Sequence, residues 1–203
     1  MKVRTISNTN IPNISEYIGY ISGTCTNKSG KNDNNRAIAN LQQGHMSVFE
    51  HMSFTWKIEG LSRACTHQLV RHRLASFTQE SQRYVKLTDE ISDWFVTPKS
   101  IIESGHEKDY KKQCKRAFKL YSKLIEDGVK AEDARYILPN ATKTTICVTM
   151  NLREFLHFYK LRSDSHSQWE IQELAERMRY EIELFYPELG DYINIVCSKQ
   201  SDD

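Results

Sequence analysis

Between Arg63 and Tyr84 four arginines, Arg63, Arg71, Arg73 and Arg83, stand against a single acid, Glu80. A guanidinium is a planar, permanently charged fork of donors that matches phosphate or carboxylate oxygens. Ser76, Thr78, Gln79, Ser81 and Gln82 set neutral hydrogen-bonding groups between those charges. The segment therefore predicts an anion site, for which a nucleotide phosphate is a natural ligand. Composition alone equally fits a solvated basic helix followed by a polar loop. A second group comprises Arg135, Asn151, Arg153, His157 and Arg162. Its arginines fall among aromatic and aliphatic residues, where they are hard to dismiss as surface, and pairing with acids such as Asp164 or Glu170 is the structural alternative.

Four of the seven histidines, His45, His51, His67 and His72, lie close together in sequence and invite a metal hypothesis. Spacing argues against it: there is no H-x-x-x-H or H-E-x-x-H pair, and His67 and His72, five apart, splay around a helix. No metal is expected. The five cysteines, Cys25, Cys65, Cys114, Cys147 and Cys197, are scattered, odd in number and free of any C-x-x-C pair. They suggest neither a disulfide framework nor a zinc site, and most are expected to be buried, inert thiols.

These groups need elements to position them. Helical periodicity covers Asn35 to Gln43, and Gly44 sits where helices stop in a left-handed conformation. Asn27 to Asn35 reads as a mobile loop. Ser53 to Ile58 alternates, with Phe54, Trp56 and Ile58 on one side of a half-buried strand. Ser62 can cap a helix running to about Arg73, with Gln68, Arg71 and His72 on neighbouring turns. Tyr110, Cys114, Ala117, Phe118, Tyr121, Leu124 and Ile125 describe a long amphipathic helix ending near Gly128. A shorter helix is predicted over Ala131 to Leu138 and a second strand over Thr144 to Met150. Asn151 and Glu154 make a capping-box start for the next helix, and a last long helix runs from about His166 to Phe185, before Pro187.

The whole is an α+β chain. With 203 residues, 39% hydrophobic and 27% charged, it is long enough for one domain with a large core, and collagen-like or wholly disordered classes are excluded. No repeat or Gly/Ser/Pro linker divides residues 1–203. The net charge of +2 gives no global field for nucleic acid. No run of about 18 apolar residues suggests a membrane span and no signal-peptide core opens the chain, so a cytoplasmic protein without a membrane or nucleic-acid partner is expected.

Arg71-His72-Arg73, then seven residues, then Ser81, followed by Gln82-Arg83-Tyr84, resembles the signature of the flavin-dependent thymidylate synthase family. Further matches stand in order: Gly44-His45-x-Ser47-Val48-Phe49-Glu50-His51, Ala134-Arg135-x-x-Leu138-Pro139, Asn151-x-Arg153, and Leu161-Arg162-x-x-x-His166. They cover a core of about residues 20 to 185. The resemblance implies a single domain with a mainly antiparallel sheet flanked by long helices, assembling as a homotetramer with active sites shared between chains. It implies an enzyme that makes dTMP from dUMP, with a methylene group from 5,10-methylenetetrahydrofolate and reducing equivalents from NADPH through FAD. The positions matching the family's dUMP set are Gln68, Arg71, Gln79, Ser81, Gln82, Arg83, Arg135 and Arg162. Those matching its FAD set are Ser47, Glu50, Arg71, His72, Arg73, Asn151, Arg153 and His157. Gln79 stands where some members carry Glu, and His157 where some carry Asn.

The chemical problem is to make C5 of uracil attack an electrophilic carbon. With no cysteine in a nucleophile motif, activation must be electrostatic: positive charge beside N3 and its carbonyls favours the anionic ring and pushes density to C5. Arg162 is the family-matched catalytic residue. No G-x-G-x-x-G turn is present, so flavin is not expected on a Rossmann-type loop. The rival reading is a nucleic-acid clamp in which the arginines grip phosphates and Phe77 and Tyr84 stack on bases; it needs a wider basic stripe than these motifs supply.

Overall fold

The computed structural model describes residues 1–28, 33–87 and 93–198. Helices and, among the described residues, one four-stranded sheet give the α+β architecture the sequence predicts. The elements run β1 (Lys2–Asn8), α1 (Ile14–Thr24), α2 (Asp33–Gln43), a 3-10 turn (Met46–His51), β2 (Ser53–Ser62), α3 (Arg63–Leu69) and β3 (Ala75–Gln79). After these come α4 (Lys99–Glu103), α5 (Glu107–Glu126), α6 (Ala131–Ala134), a 3-10 turn (Arg135–Ile137), β4 (Lys143–Asn151), α7 (Leu152–Arg162), α8 (Trp169–Glu183) and α9 (Leu189–Ser198). The sheet order is β1-β2-β4-β3. Leu152 N donates to Met52 O, and the hydroxyls of Thr55 and Thr149 meet at 2.9 Å, so β2 and β4 run antiparallel.

Contacts within the chain fall into two compact units. One comprises Met1–Lys2, Ile58–Leu69 and Thr78–Ile146; the other comprises Val3–Lys57, Val70–Phe77 and Cys147–Asp203. Neither is a continuous stretch of sequence, so no linker could have marked the division. In the second unit Phe54 stacks on Trp56 at 5.7 Å and Trp56 meets Phe155 at a tilt at 5.6 Å, all three fully buried. Edge and offset ring contacts of this kind add to the large area such side chains bury. In the first unit Trp94, Phe95, Cys114, Phe118, Tyr121 and Ala134 form a separate core, with Tyr110, Leu124 and Ile125 packed on it. This is the apolar face predicted for α5.

Several boundaries differ from the sequence reading. β2 does not stop at Ile58 but continues through Gly60, whose φ of +78° suits a residue without Cβ, to Ser62. Ser62 does cap the helix, its Oγ accepting from Cys65 N, but α3 ends at Leu69. Arg71, His72 and Arg73 therefore stand in the turn before β3, a strand the reading missed, and not on a helical face. Asp33–Gln43 extends α2 into the expected loop, with Gly44 at φ +78° as anticipated; residues 29–32 lie outside the described residues. The helix predicted over Ala131 to Leu138 divides into α6 and a 3-10 turn. The cysteines are less buried than expected: Cys65 and Cys114 are buried, Cys147 and Cys197 half-buried and Cys25 exposed. Among the described residues no helix is long and apolar enough to cross a membrane.

Candidate functional site

The second unit contains a cleft of about 630 Å³, within the range of small-molecule sites. Two short pieces of chain supply its charge. The turn after α3 contributes Arg71, His72 and Arg73; α7 contributes Arg153, His157 and Arg162. On α7, Glu154, Phe158 and Arg162 recur at four-residue steps and so share one face, while Arg153 and His157 occupy the adjacent one. Asn151 Oδ1 accepts from Glu154 N at 2.9 Å and starts α7. Only that half of the expected capping box is made, because the Glu154 carboxylate is turned to His72.

His72 is 5% exposed and lies along the Glu154-Phe158-Arg162 face. Its ring meets Phe158 edge-on at 5.0 Å. Arg162 Nε donates to His72 Nε2 at 3.0 Å. Guanidinium has no acceptor, so Nε2 must be unprotonated and the single ring proton of a neutral His72 sits on Nδ1. There it faces Glu154 Oε1, 3.4 Å away. Burial, then the charge of Arg162, then His157, pull the His72 pKa down to about 4, so the ring is neutral at pH 7. Burial raises the Glu154 pKa, against the pull of His157 and Arg153.

Arg153 Nη1 pairs with Glu50 Oε1 at 2.5 Å on the surface of the unit, and Ser47 is exposed in the 3-10 turn beside the cleft wall. Asp164 is engaged by His166 at 2.8 Å, so the arginines of α7 are paired elsewhere than on that acid. All the residues matched to the family's FAD set thus belong to this unit, and five of them line the cleft together with Arg162 of the dUMP set.

The remaining residues matched to the dUMP set, Gln68, Gln79, Ser81, Gln82, Arg83 and Arg135, belong to the first unit. Arg83 grips Glu132 Oε2 with Nε at 2.8 Å and Nη2 at 2.6 Å, and Arg135 Nε donates to the Glu132 carbonyl at 3.0 Å. Ser81 Oγ accepts from Arg83 N at 3.3 Å. Gln79 Nε2 is spent on Thr66 Oγ1 and Thr144 Oγ1, both at 3.3 Å. Burial and then the charge of Arg135 hold the Arg63 pKa below its ordinary value, against the pull of Glu80.

Sequence reasoning passed over two groups. Glu154 was visible only as a capping residue; its sequence signal is a carboxylate set among the apolar residues Leu152, Phe155 and Leu156. The basic residues of α5, including Lys108, Lys112, Lys115 and Lys119, border one open depression, although their three- and four-residue spacing was on view.

A family model described as Thymidylate synthase complementing protein matches residues 7–188. A curated relative, the flavin-dependent thymidylate synthase of Pyrococcus abyssi, is 51% identical over 145 residues, 70% of this chain. The matched stretch spans 59% of that relative's own length. Among solved structures, the UMP/dUMP methylase PolB of Streptomyces cacaoi bound to 5-Br dUMP superposes with a TM-score of 0.77 at 22% identity, covering 95% of this chain and 94% of that one. The flavin-dependent thymidylate synthase ThyX of Helicobacter pylori, complexed with FAD and dUMP, gives a TM-score of 0.72 at 22% identity, covering 89% and 93%. The fold is shared with both, and the motifs that first drew attention lie inside the matched span: the chain belongs to the family of thymidylate synthase complementing proteins.

Proposed function

We propose that the protein is a flavin-dependent thymidylate synthase. It converts dUMP to dTMP with 5,10-methylenetetrahydrofolate as carbon donor and NADPH as reductant, works in the cytoplasm and assembles as a homotetramer whose active sites are shared between chains. The observation that carries this reading is the cleft in which the Arg162 guanidinium is bonded to a neutral His72 and not to a carboxylate. A cation of that kind beside the N3 and carbonyl edge of uracil stabilises the anionic ring and raises the nucleophilicity of C5. The names of relatives at about half identity, and the dUMP-type ligands of the structural neighbours, support the same substrate.

The donor set fits a dinucleotide flavin. Arg71, Arg73 and Arg153 offer guanidinium forks suited to a pyrophosphate, and His157 and Asn151 add further polar groups. With Ser47, Glu50 and His72 they are the residues proposed to hold FAD, which supplies the relay of reducing equivalents from NADPH to the methylene carbon. Around dUMP, Ser81, Gln82, Arg83 and Arg135 bind the phosphate, Gln68, Gln79 and Arg71 complete the nucleotide site, and Arg162 acts on the base. Fixed alignment of the reactants lowers the entropic barrier and the apolar cleft walls exclude water.

The test is direct. Purified protein is expected to be yellow, to bleach with NADPH under anaerobic conditions, and to form dTMP from the full substrate set. A colourless protein that binds RNA or DNA with a steep loss of affinity in salt would support the nucleic-acid clamp instead; peroxide without dTMP would indicate an oxidase.

A further inference from the structure

We propose that Glu154, acting through His72, is a positioning residue that fixes the Arg162 guanidinium toward the cleft. The inference rests on the proposed role of Arg162 and deepens it: activation of the base needs a cation that is held in place without being neutralised.

The geometry carries three linked requirements. Arg162 leaves the last turn of α7 and is only half-buried, so its long side chain has rotamer freedom to lose. One donor, Nε, is tied to His72 Nε2 at 3.0 Å, which leaves the Nη groups to act on a ligand. That tie exists only while Nε2 is bare. A histidine with its proton on Nε2 would present a donor to a donor, and a doubly protonated ring would add charge repulsion. Something must therefore keep the proton on Nδ1, and among the described residues the carboxylate paired with that nitrogen is Glu154, 3.4 Å away. Glu154 is 4% exposed, a position that carboxylates rarely occupy without a task.

A direct carboxylate partner would hold Arg162 more tightly but would cancel the charge the reaction needs. Inserting a neutral imidazole separates the two jobs. Glu154 sets the proton, His72 transmits it as an acceptor, and Arg162 keeps its positive charge. Of the groups facing the His72 ring, burial, Arg162 and His157 favour the neutral state and outweigh the opposing pull of Glu154, while Phe158 closes one side. Glu154, 4% exposed at the cleft wall, acts through His72 and is therefore a positioning residue and not a catalytic one.

The test begins with the wild-type protein labelled with 15N at histidine and arginine. Long-range 1H–15N correlation spectra at pH 7 are expected to show His72 as the Nδ1–H tautomer and a protected Arg162 Nε–H. An Nε2–H tautomer would overturn the proposal. Glu154→Leu, similar in size but without an acceptor, is expected to lose the tautomer preference and the Nε–H protection. It should also lower kcat by about 10- to 100-fold, while KM for dUMP stays within about twofold. Glu154→Gln keeps an acceptor oxygen and is expected to restore the tautomer and most of kcat; it also serves if Glu154→Leu fails to fold. Unchanged kcat and tautomer in Glu154→Leu, or a Gln variant as impaired as the Leu variant, would overturn the proposal. A wild type that shows the Nδ1–H tautomer and the protected Nε–H yet makes no dTMP supports the positioning device and removes the functional reading instead.

Discussion

Two arginines, Arg162 in the second unit and Arg83 in the first, are held by opposite means. Arg83 lies in the open and is forked onto a charged carboxylate, Glu132, which raises its pKa through a hydrogen bond and then through charge. Arg162 is half-buried and tied to a neutral imidazole. An exposed pair is weak and screened by salt, so Glu132 can hand Arg83 over to a competing phosphate at little cost. A cation whose partner carries no charge is available without any exchange. The contrast teaches that one guanidinium is stored for binding and the other is kept ready for chemistry.

The strongest way to break this contrast is to remove the ready charge. Arg162→Ala is expected to lower dTMP formation by about 100- to 1,000-fold while the purified protein stays yellow. Near-normal turnover would show that the two arginines do not differ in kind.

Next in size is an acid effect confined to the second unit. His72 titrates at about 4 in the folded chain against an ordinary value near 6.5. The unfolded chain therefore binds the proton more readily, so the contribution is fully present above the unfolded value. It is lost as the pH falls from about 6.5 to about 4, where the loss amounts to roughly 3 kcal/mol. Urea unfolding across that window checks it, and His72→Gln should flatten this part of the profile. A wild-type stability that stays level from pH 7 to pH 4 would contradict a buried neutral ring.

Arg83→Ala is expected to weaken dUMP binding by about tenfold with little change in Tm, measured by calorimetry and thermal unfolding. An unchanged Kd would detach Arg83 from the phosphate. The smallest effect is Glu132→Gln. Freeing Arg83 from its carboxylate should tighten dUMP by about two- to threefold and steepen the salt dependence of binding, because salt no longer also loosens a competing pair. Weaker binding in that variant would mean that Glu132 positions Arg83 and does not merely store it.

The sequence made some of this legible. Strands β2 and β4 and helices α5, α7 and α8 announce themselves because one face of each is buried in strict period. β1 does not, since Val3 is its only buried residue. α9 follows Pro187 so closely that it reads as a tail, and α3 is too short for periodicity to bound it. The overrun of β2 through Gly60 is a tertiary effect, because pairing with β4 outweighs the local turn signal of a glycine. At the site, residue types named the charges and their ligand class. They could not show that His72 lies between Glu154 and Arg162, because that contact joins a turn to a helix some eighty positions away and depends on α3 ending at Leu69.

Release of tritium from dUMP labelled at C5 tests the central claim most directly, because it reports loss of the hydrogen that methylation replaces. With methylenetetrahydrofolate and NADPH present, wild-type protein should release tritium in step with dTMP, and Arg162→Ala should release almost none while retaining its flavin. Flavin-loaded wild-type protein that releases no tritium, or an Arg162→Ala variant that releases it as fast as the wild type, would contradict the account.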